Sequence, residues 1–365
     1  MERGIIKTFR KAGEYMKCFK KIALLTLVIF NFFTVNSSLA CTEIMLNYKN
    51  QYVTGRNFDW PVNFKYAFLV INPIGIQRQS NDLNIQDKSL SWTAKYGSVT
   101  VNLAKGKDIA LPKALMSGMN QYGLSASVLW LEESSFPSHS TQPILVTGLW
   151  AQYFLDNAKT VKEAIQLANS VAIEPTVFNG KKILLHLILH DATGDSAVMD
   201  YIHGKLHIAH GKNLPIPALT NNSYSESLQN LKQYQDFGGK LPLPGGYDSS
   251  ERFVRAACFI KRLPPSTSLP QTIAYAFGGL ADTAAAPGTE SPTVWSVVFD
   301  LKNKILYYRD IDNANIRSVN LMNFNLNKNQ PMKILMINND LNGNLNNLFQ
   351  LATFSNHDGY LIPNK

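Results

Sequence analysis

Cys41 is the residue in this sequence best placed for nucleophilic chemistry, because the chain before it resembles an export signal. Residues 1–40 hold a basic first part, an apolar run at 22–35 and a small-residue end at 36–40 (NSSLA). This order is typical of a cleaved signal peptide. If cleavage occurs before Cys41, its thiol and a free α-amine belong to one residue. Such an amine, with a reference pKa of about 7.7 to 8.0, can take the thiol proton and pass it to a leaving amine.

Alternative interpretations of this segment remain open from the residues alone. The apolar run covers about fourteen residues, which is short for a transmembrane helix of roughly 20. Cys41 could instead be lipidated, although lipidation sites normally carry Leu three residues earlier, where Ser38 stands. It could also be a buried structural cysteine near the first strand. Translation starting at Met16 gives the same cleavage point as translation starting at Met1.

Further residues with reactive or polar side chains follow Cys41 in separate motifs. After Cys41-Thr42-Glu43 come the segments 54–60 (TGRNFDW), 120–126 (NQYGLSA), 190–196 (HDATGDS), 219–222 (LTNN) and 248–255 (DSSERFVR). In this combination and order the sequence resembles the choloylglycine hydrolase and penicillin V acylase family, cysteine members of the N-terminal-nucleophile hydrolases. The segment around Trp130 looks more like the Gram-negative branch of that family.

The resemblance implies a role for each matched residue. Cys41 attacks an amide carbonyl and its free amine moves the proton. Arg56 lies beside the sulfur, and Asp59 orients the α-amine. Asn221 donates a hydrogen bond to the tetrahedral oxyanion, and Arg252 organises the site by hydrogen bonds and charge.

One segment departs from the bile-salt-cleaving members of the family and bears on the acyl pocket. Where those members often carry an asparagine, this sequence has Trp130, whose indole donates one hydrogen bond but not as an amide does. We expect the second oxyanion donor to be Trp130 or a backbone N–H, such as that of Thr42. Aromatic residues after the first hairpin are candidates for lining an apolar pocket: Phe58, Trp60, Phe64, Tyr66 and Phe68.

The elements that must position these residues follow from hydrophobic periodicity and turn residues. We predict a hairpin of 43–48 and 51–57 and further strands at 67–71, 92–95, 98–103, 124–131, 183–190, 196–201, 206–210, 293–300, 305–309 and 316–321. Helices are predicted at 144–155, 161–172 and 250–263. Because strands and helices do not alternate, the class is α+β. Residues 41–365 are expected to form one domain, and the resemblance implies a four-layered αββα sandwich of antiparallel sheets and a possible homotetramer.

Charge and histidine spacing exclude several function classes. Removing residues 1–40 takes away seven basic and two acidic side chains, which lowers the formal net charge from +9 to +4. No Lys/Arg run remains after residue 40, so nucleic acid is not an expected partner. The mature chain is expected to meet the membrane only during export. His186 and His190 lie in a predicted strand without a suitable third ligand, so neither a metal nor a cofactor is expected.

The second mature cysteine, Cys258, is expected to be a buried thiol rather than a reactive one. It lies in the run 250–263, where apolar residues have helical spacing. A disulfide with Cys41 is the alternative for an exported protein. The sequence as a whole predicts an exported amidase, periplasmic or secreted, that cleaves the amide of an apolar N-acyl compound such as penicillin V or an acyl homoserine lactone. A conjugated bile salt hydrolase and a lipid-anchored binding protein without turnover are the alternatives.

Overall fold

The fold is built around a long hairpin that begins at Cys41. The structure is a computed structural model that describes residues 41–61, 67–80, 89–105, 109–137, 141–178, 180–337, 340–354 and 360–361. Strands β1 (Cys41–Tyr48) and β2 (Gln51–Asp59) pair in antiparallel register. Lys49 and Asn50 at the turn have φ values of 44° and 62°, as a tight type I′ hairpin requires. The predicted hairpin is confirmed.

The hairpin lies in sheet A, the smaller of two large sheets. Its strands, in spatial order, are β16 (Ala218–Leu219), β1, β2, β17 (Thr293–Asp300), β18 (Ile305–Asp310), β19 (Arg317–Asn320) and β21 (Gly343–Asn344). All neighbours pair antiparallel except β19 and β21. Strands β1, β2 and β17 are almost wholly buried, so the hairpin is fixed from both sides.

Sheet B faces sheet A. It contains β15 (Lys205–His210), β14 (Ser196–Ile202), β13 (Leu185–His190), β8 (Ser125–Trp130), β7 (Ile109–Asn120), β6 (Ser98–Lys105), β3 (Ala67–Asn72), β20 (Lys333–Met336) and β22 (Gln350–Leu351) in that order. A short C-terminal pair, β23 (Thr353–Phe354) and β24 (Tyr360–Leu361), joins at β7. Three small pairs lie outside both sheets: β4 (Gln77–Gln79) with β5 (Ser91–Thr93), β9 (Ile144–Val146) with β10 (Ala172–Glu174), and β11 (Thr176–Phe178) with β12 (Lys181–Ile183).

Helices cover the outer faces of the two sheets. They are α1 (Trp150–Asn157), α2 (Val161–Ala168), α3 (Tyr224–Leu231), α4 (Ser249–Arg262) and α5 (Leu269–Asp282). Helix α1 packs on β7 and β8 of sheet B, whereas α4 and α5 pack on β1 of sheet A. The α+β class and the αββα layering are therefore confirmed. No helix among the described residues is long and apolar enough to cross a membrane.

The turn between β7 and β8 holds the two sheets together at one end. Gly123 has φ +82°, and a Cβ added there would lie 2.1 Å from the carbonyl oxygen of Leu301, which follows β17. Only glycine fits this contact. Asn120 closes the same turn, since its Oδ1 accepts from the backbone N–H groups of Tyr122 and Leu124. The motif at 120–126 is thus explained by the turn that it builds.

Two predicted helices differ from the structure at their ends. The helix predicted over 144–155 begins only at Trp150, because Ile144–Val146 forms strand β9 and pairs parallel with Ala172–Glu174. The same pairing ends α2 at Ala168 rather than at 172. The start of α2 is as predicted, with the Thr160 side chain accepting from the N–H of Glu163. An apolar run at 144–149 does not distinguish a short buried strand from a helix.

Candidate active site

Cys41 occupies the first position of β1 and is buried between the two sheets. Only 2% of the residue is exposed. Its sulfur accepts a hydrogen bond from Arg56 Nη2 at 3.5 Å. Arg56 lies on the neighbouring strand, two residues before Phe58, the register partner of Cys41. A fixed cation at this distance stabilises a thiolate relative to a thiol.

Arg56 is held rigidly by backbone carbonyls of sheet B. Its Nη1 donates to the carbonyl of Met116 on β7, and its Nη2 donates to the carbonyl of Val128 on β8 at 2.6 Å. The guanidinium carbon also lies 5.6 Å from the ring centroids of both Phe58 and Trp295. Cation–π contacts of this kind add to the stability of a buried guanidinium. The positive charge beside the sulfur is therefore fixed in place before any substrate binds.

Asn221 contacts Cys41 although the two residues are 180 positions apart in the sequence. The Cys41 backbone nitrogen donates to Asn221 Oδ1 at 2.6 Å, and Arg252 Nη2 donates to the same oxygen at 2.8 Å. The Asn221 amide nitrogen donates to the carbonyl of Trp130 at 2.8 Å. An amide nitrogen carries two hydrogens, so this bond uses one of them. The contacts of Oδ1 with two donors fix which end of the amide carries those hydrogens.

The segment that carries Asn221, directly after β16, is itself positioned by a buried histidine that sequence analysis considered only as a metal ligand. His186 Nε2 lies 2.8 Å from the carbonyl oxygen of Thr220, and its Nδ1 lies 3.0 Å from Asp200 Oδ1. Asp200 also accepts from the backbone N–H of Tyr224. These contacts tie Asn221 to sheet B and to the start of α3. Their partners are distant in sequence, so the chain alone carries no signal of them.

Arg252 extends from α4 to the backbone of the nucleophile. Its Nη1 donates to the Cys41 carbonyl and to Thr42 Oγ1, the latter at 2.7 Å. Its Nε donates to the carbonyl of Tyr247 at 3.0 Å. The side chain is fully buried, and burial lowers the pKa of Arg252 although Asp59 opposes this change. Arg252 thus links the helix layer to the first two residues of β1.

Asp59 ends β2 beside this arginine. Its Oδ1 accepts from the Thr293 hydroxyl at 2.5 Å, and its Oδ2 lies 3.8 Å from Arg252 Nη1. Burial raises the pKa of Asp59 to about 6, although Arg252, the Thr293 hydroxyl and Arg56 each act to lower it. The carboxylate form therefore predominates at neutral pH. Its Oδ2 is buried and makes no hydrogen bond within the described part of the chain.

The buried carboxyl group of Asp59 predicts a pH-dependent cost in stability. Its folded pKa lies about two units above the unfolded value, so between about pH 4 and 6 the unfolded chain loses this proton first. The free energy of unfolding then falls as pH rises. Relative to Asp59→Asn, the wild type is expected to lose about 2 kcal/mol from pH 4 to pH 7. Urea unfolding of both proteins across this range measures the difference, and a constant difference would contradict the assignment.

The predicted pocket residues fall into three groups. Trp60 and Trp130 lie edge to face with ring centroids 6.1 Å apart, and Trp60 stacks on Phe58 at 5.6 Å. Phe64 lies outside the described residues, as does Tyr66. Phe68 packs in a second core cluster with Val70, Ala104, Met332 and Ile334, whereas Cys41 belongs to the main cluster. Ala67 and Leu69, the neighbours of Phe68 on β3, pack in the same core cluster as Cys41. Side chains alternate along a strand, so Phe68 points to the opposite face of β3. It is therefore not part of the pocket.

The indole of Trp130 does not supply the second oxyanion donor in this arrangement. Its Nε1 donates to Glu132 Oε2 at 2.8 Å, so its single hydrogen is already used. The backbone carbonyl of Trp130 instead orients Asn221. In this structure the indole is bound to Glu132, and the identity of the second oxyanion donor stays a prediction.

Other motif residues lie apart from Cys41. Asn222 donates to Glu226 on α3, and Arg255 donates to the carbonyls of Asp282 and Gly246. The first asparagine of the pair and the first arginine are the members of these motifs that contact Cys41. Asp191 caps the turn at 190–196 and accepts from the N–H of Val161 at the start of α2. Cys258 is a buried thiol on α4, as predicted.

One acidic residue on the same strand as Cys41 was given no role by sequence analysis. Glu43 stands two residues after Cys41 on β1 and is 1% exposed. Alternation along a strand places it on the face of Cys41, and this signal could have identified it. Among the described residues no group of histidine, cysteine and acidic side chains is arranged to hold a metal ion.

Comparison with known proteins agrees with this geometry. Residues 41–334 match the family model of linear amide C–N hydrolases, choloylglycine hydrolase family. The chain belongs to that family. It is thus a linear amide C–N hydrolase, and the family match begins at Cys41.

Individual members of the family place the chain nearer to penicillin V acylases than to bile acid hydrolases. It is 32% identical over 321 residues to the penicillin V acylase of Pectobacterium atrosepticum, covering 79% of this chain and 82% of that protein. The structure of penicillin V acylase from Agrobacterium tumefaciens superposes with a TM-score of 0.73 at 31% identity, covering 86% and 98%. A conjugated bile acid hydrolase from Clostridium perfringens shares the fold, with a TM-score of 0.66 at 20% identity over 83% and 98%.

Proposed function

We propose that this family member is exported, loses residues 1–40, and hydrolyses the amide of an apolar N-acyl compound with Cys41 as its N-terminal nucleophile. The observation that carries the proposal is the convergence on Cys41. Arg56 contacts the sulfur and Asn221 contacts the nitrogen that cleavage would convert into an amine. Both groups needed for thiol chemistry are then supplied by one residue.

The proton follows a short path in this mechanism. The neutral α-amine takes the proton of the Cys41 thiol, and the sulfur attacks the substrate carbonyl carbon. The amine then donates the proton to the leaving nitrogen as the C–N bond breaks, which leaves an acyl thioester. Water, deprotonated by the same amine, hydrolyses the thioester and restores the thiol.

Asn221 is the proposed oxyanion donor. One hydrogen of its amide nitrogen bonds the Trp130 carbonyl, and the other serves the developing negative charge. Fixed donors of this kind contribute about 2.7 to 4 kcal/mol to the barrier. Arg252 supports this role by holding Asn221 Oδ1, so that the amide end carrying the hydrogens cannot rotate away.

Asp59 is the proposed partner of the mature α-amine. Its Oδ2 is buried without a hydrogen bond in the described chain, and its carboxylate form predominates above a pKa of about 6. Asp59 also follows Phe58, the register partner of Cys41. A carboxylate here orients the amine at the pH where that amine is neutral enough to act as a base.

The acyl group is proposed to be flat or linear rather than a broad steroid. The Trp60 and Trp130 rings contact each other, and the end of β8 that carries Trp130 is at the site because its backbone carbonyl bonds Asn221. Two large rings provide apolar contact area but no amide donor for a polar acyl group. Similarity to two penicillin V acylases above 30% identity also supports this choice.

A substrate panel measured on one preparation of the processed enzyme tests the proposal. We expect kcat/KM for penicillin V or a long-chain acyl homoserine lactone to exceed that for glycine- or taurine-conjugated cholate by at least about tenfold, because apolar pockets discriminate by about 1 to 3 kcal/mol. A preference for the conjugated bile salt would reverse the assignment and support the bile salt hydrolase alternative. Absence of hydrolysis for all of these amides would instead favour a binding protein.

A further inference from the structure

A buried polar cluster that shares only Arg56 with the proposed mechanism lies next to the nucleophile. It consists of Glu43 on β1, Arg56 on β2 and His190 on β13, with the hydroxyls of Thr54 and Ser127 around them. The three ionisable side chains are each no more than 1% exposed. Buried charged groups are costly unless their charges are balanced. Because Arg56 also contacts the Cys41 sulfur, the charges of this cluster affect the ionisation of that thiol.

Glu43 lies on the same face of β1 as Cys41 and directly opposite Arg56, the residue that contacts the Cys41 sulfur. Glu43 and Arg56 are direct register partners on β1 and β2, and attraction by Arg56 is one of the effects that lower the Glu43 pKa. Arg56 in turn reaches Cys41 Sγ. The carboxyl group and the thiol thus lie on the same face of one strand and act on the same guanidinium.

His190 does not neutralise Glu43 as an ion-pair partner. Its Nε2 lies 4.0 Å from Glu43 Oε1, beyond hydrogen-bond distance, and its Nδ1 lies 2.7 Å from the hydroxyl of Ser196. Burial lowers the pKa of His190 to about 3, so the ring is neutral at working pH. Glu43 Oε2, Arg56 Nε and His190 Nε2 each lack a hydrogen-bond partner among the described residues. Arg56 is therefore the cation that balances Glu43.

The other charged side chains that act on this region are those of Asp59 and Arg252. Asp59 is close enough to Arg56 for the two charges to interact, but Asp59 is also paired with Arg252 at 3.8 Å. These two arginines and Asp59 carry a net charge of +1. An ionised Glu43 cancels that excess, whereas a protonated Glu43 leaves it acting on Cys41.

We infer that Glu43 is a positioning residue that sets the electrostatic environment of the nucleophile, because ionisation of its carboxyl group offsets the positive charge that Arg56 presents to the Cys41 sulfur. This inference rests on the proposed function, in which Cys41 acts as the nucleophile. Burial raises the pKa of Glu43 to about 7, although the Thr54 hydroxyl, Arg56 and the Ser127 hydroxyl each act to lower it. The carboxyl group therefore changes its charge in the working pH range, and thiolate formation becomes less favourable as it ionises.

Glu43→Gln tests the inference with little change of shape. The amide oxygen of glutamine can still accept from Thr54 Oγ1, which now donates to Glu43 Oε1 at 2.7 Å. The full chain is expressed in an exporting host, and the processed enzyme is alkylated with iodoacetamide from pH 5 to 10. Mass spectrometry of the Cys41 peptide separates this thiol from Cys258. We expect the pH midpoint of Cys41 alkylation to fall by about one unit in Glu43→Gln, since a like charge near the thiolate is removed.

Two further variants make the result decisive. Glu163→Gln makes the same chemical change on α2, where Glu163 Oε2 accepts from the N–H of Lys159, and its alkylation midpoint is expected to equal that of the wild type. Thr54→Val removes the hydrogen bond that favours ionised Glu43, so it is expected to lower the midpoint by a smaller amount. This variant decides the matter if Glu43→Gln does not fold.

An unchanged alkylation midpoint in folded Glu43→Gln, or in Thr54→Val if the first variant does not fold, would overturn the inference and leave Glu43 with a structural role. Failure of the proposed function has a different signature, because either the processed wild type would hydrolyse none of the amides or Cys41→Ala would retain amide hydrolysis. The two failures are therefore distinguishable on the same set of proteins.

Discussion

Replacement of Cys41 by alanine is expected to abolish hydrolysis of every amide that the processed enzyme cleaves. The sulfur forms the covalent bond to the acyl group in the proposed mechanism, and removal of a nucleophile costs about 10⁴-fold or more in kcat. Serine should also be inactive, since its hydroxyl is a much weaker nucleophile than a thiol near neutral pH. Steady-state rates on the best substrate of the panel measure the effect.

Cys258→Ala is the matched control for this experiment. Among the described residues Cys258 is the other free, buried cysteine, and it lies on α4 outside the contacts of Cys41. Its removal is expected to leave kcat within about twofold while lowering stability slightly through the lost packing volume. Circular dichroism should show that Cys41→Ala remains folded. Substantial turnover by a folded Cys41→Ala protein would remove Cys41 as the nucleophile.

A chain that keeps its first forty residues is expected to fold but not to turn over. The nitrogen of Cys41 is then an amide, which has no basic lone pair to take the thiol proton. In the structure this nitrogen is a donor to Asn221 Oδ1, a bond that a free amine can also make. Full-length protein made without export, with its intact mass verified, should show kcat reduced by at least about 10³-fold relative to processed enzyme.

The processed enzyme from an exporting host is the control, and its intact mass answers a second question. A mass that begins at unmodified Cys41 supports the amidase, whereas a diacylglyceryl adduct would show the lipid-anchored alternative. Equal unfolding midpoints for the two preparations would show that retained residues do not act by disrupting the fold. Full activity in verified uncleaved protein would mean that a group other than the α-amine deprotonates the thiol.

Local patterns predicted the parts of the fold that local interactions determine. The hairpin at Lys49 and Asn50 and helix α4 were predicted from turn residues and from helical spacing of apolar side chains. The strand Ile144–Val146 was wrongly predicted as helix because its partner lies at Ala172–Glu174. Strand β7 and helix α5 were missed altogether. Pairing between distant segments decides such cases, and a local window cannot include it.

The candidate site shows the same division between local and distant information. Cys41, Arg56 and Asp59 lie on one hairpin, so their proximity follows from strand pairing once the turn is placed. Asn221 and Arg252 were predicted only through the family resemblance, since 180 residues separate Cys41 from Asn221. The outward direction of Phe68 depends on which face of β3 meets sheet A. That choice is made by the stacking of sheets rather than by the sequence near Phe68.

The position of Cys41 at the start of β1 also bears on the entropy of the chain end that the proposed cleavage would create. The first residues of a protein chain usually fray, and ordering them costs roughly 1 to 2 kcal/mol per residue. Here β2 pairs with the strand up to Cys41, and Arg252 binds the Cys41 carbonyl. The chain end therefore loses this entropy when the protein folds, and substrate binding does not have to order it again. A terminal nucleophile can therefore be as immobile as one in the middle of a chain.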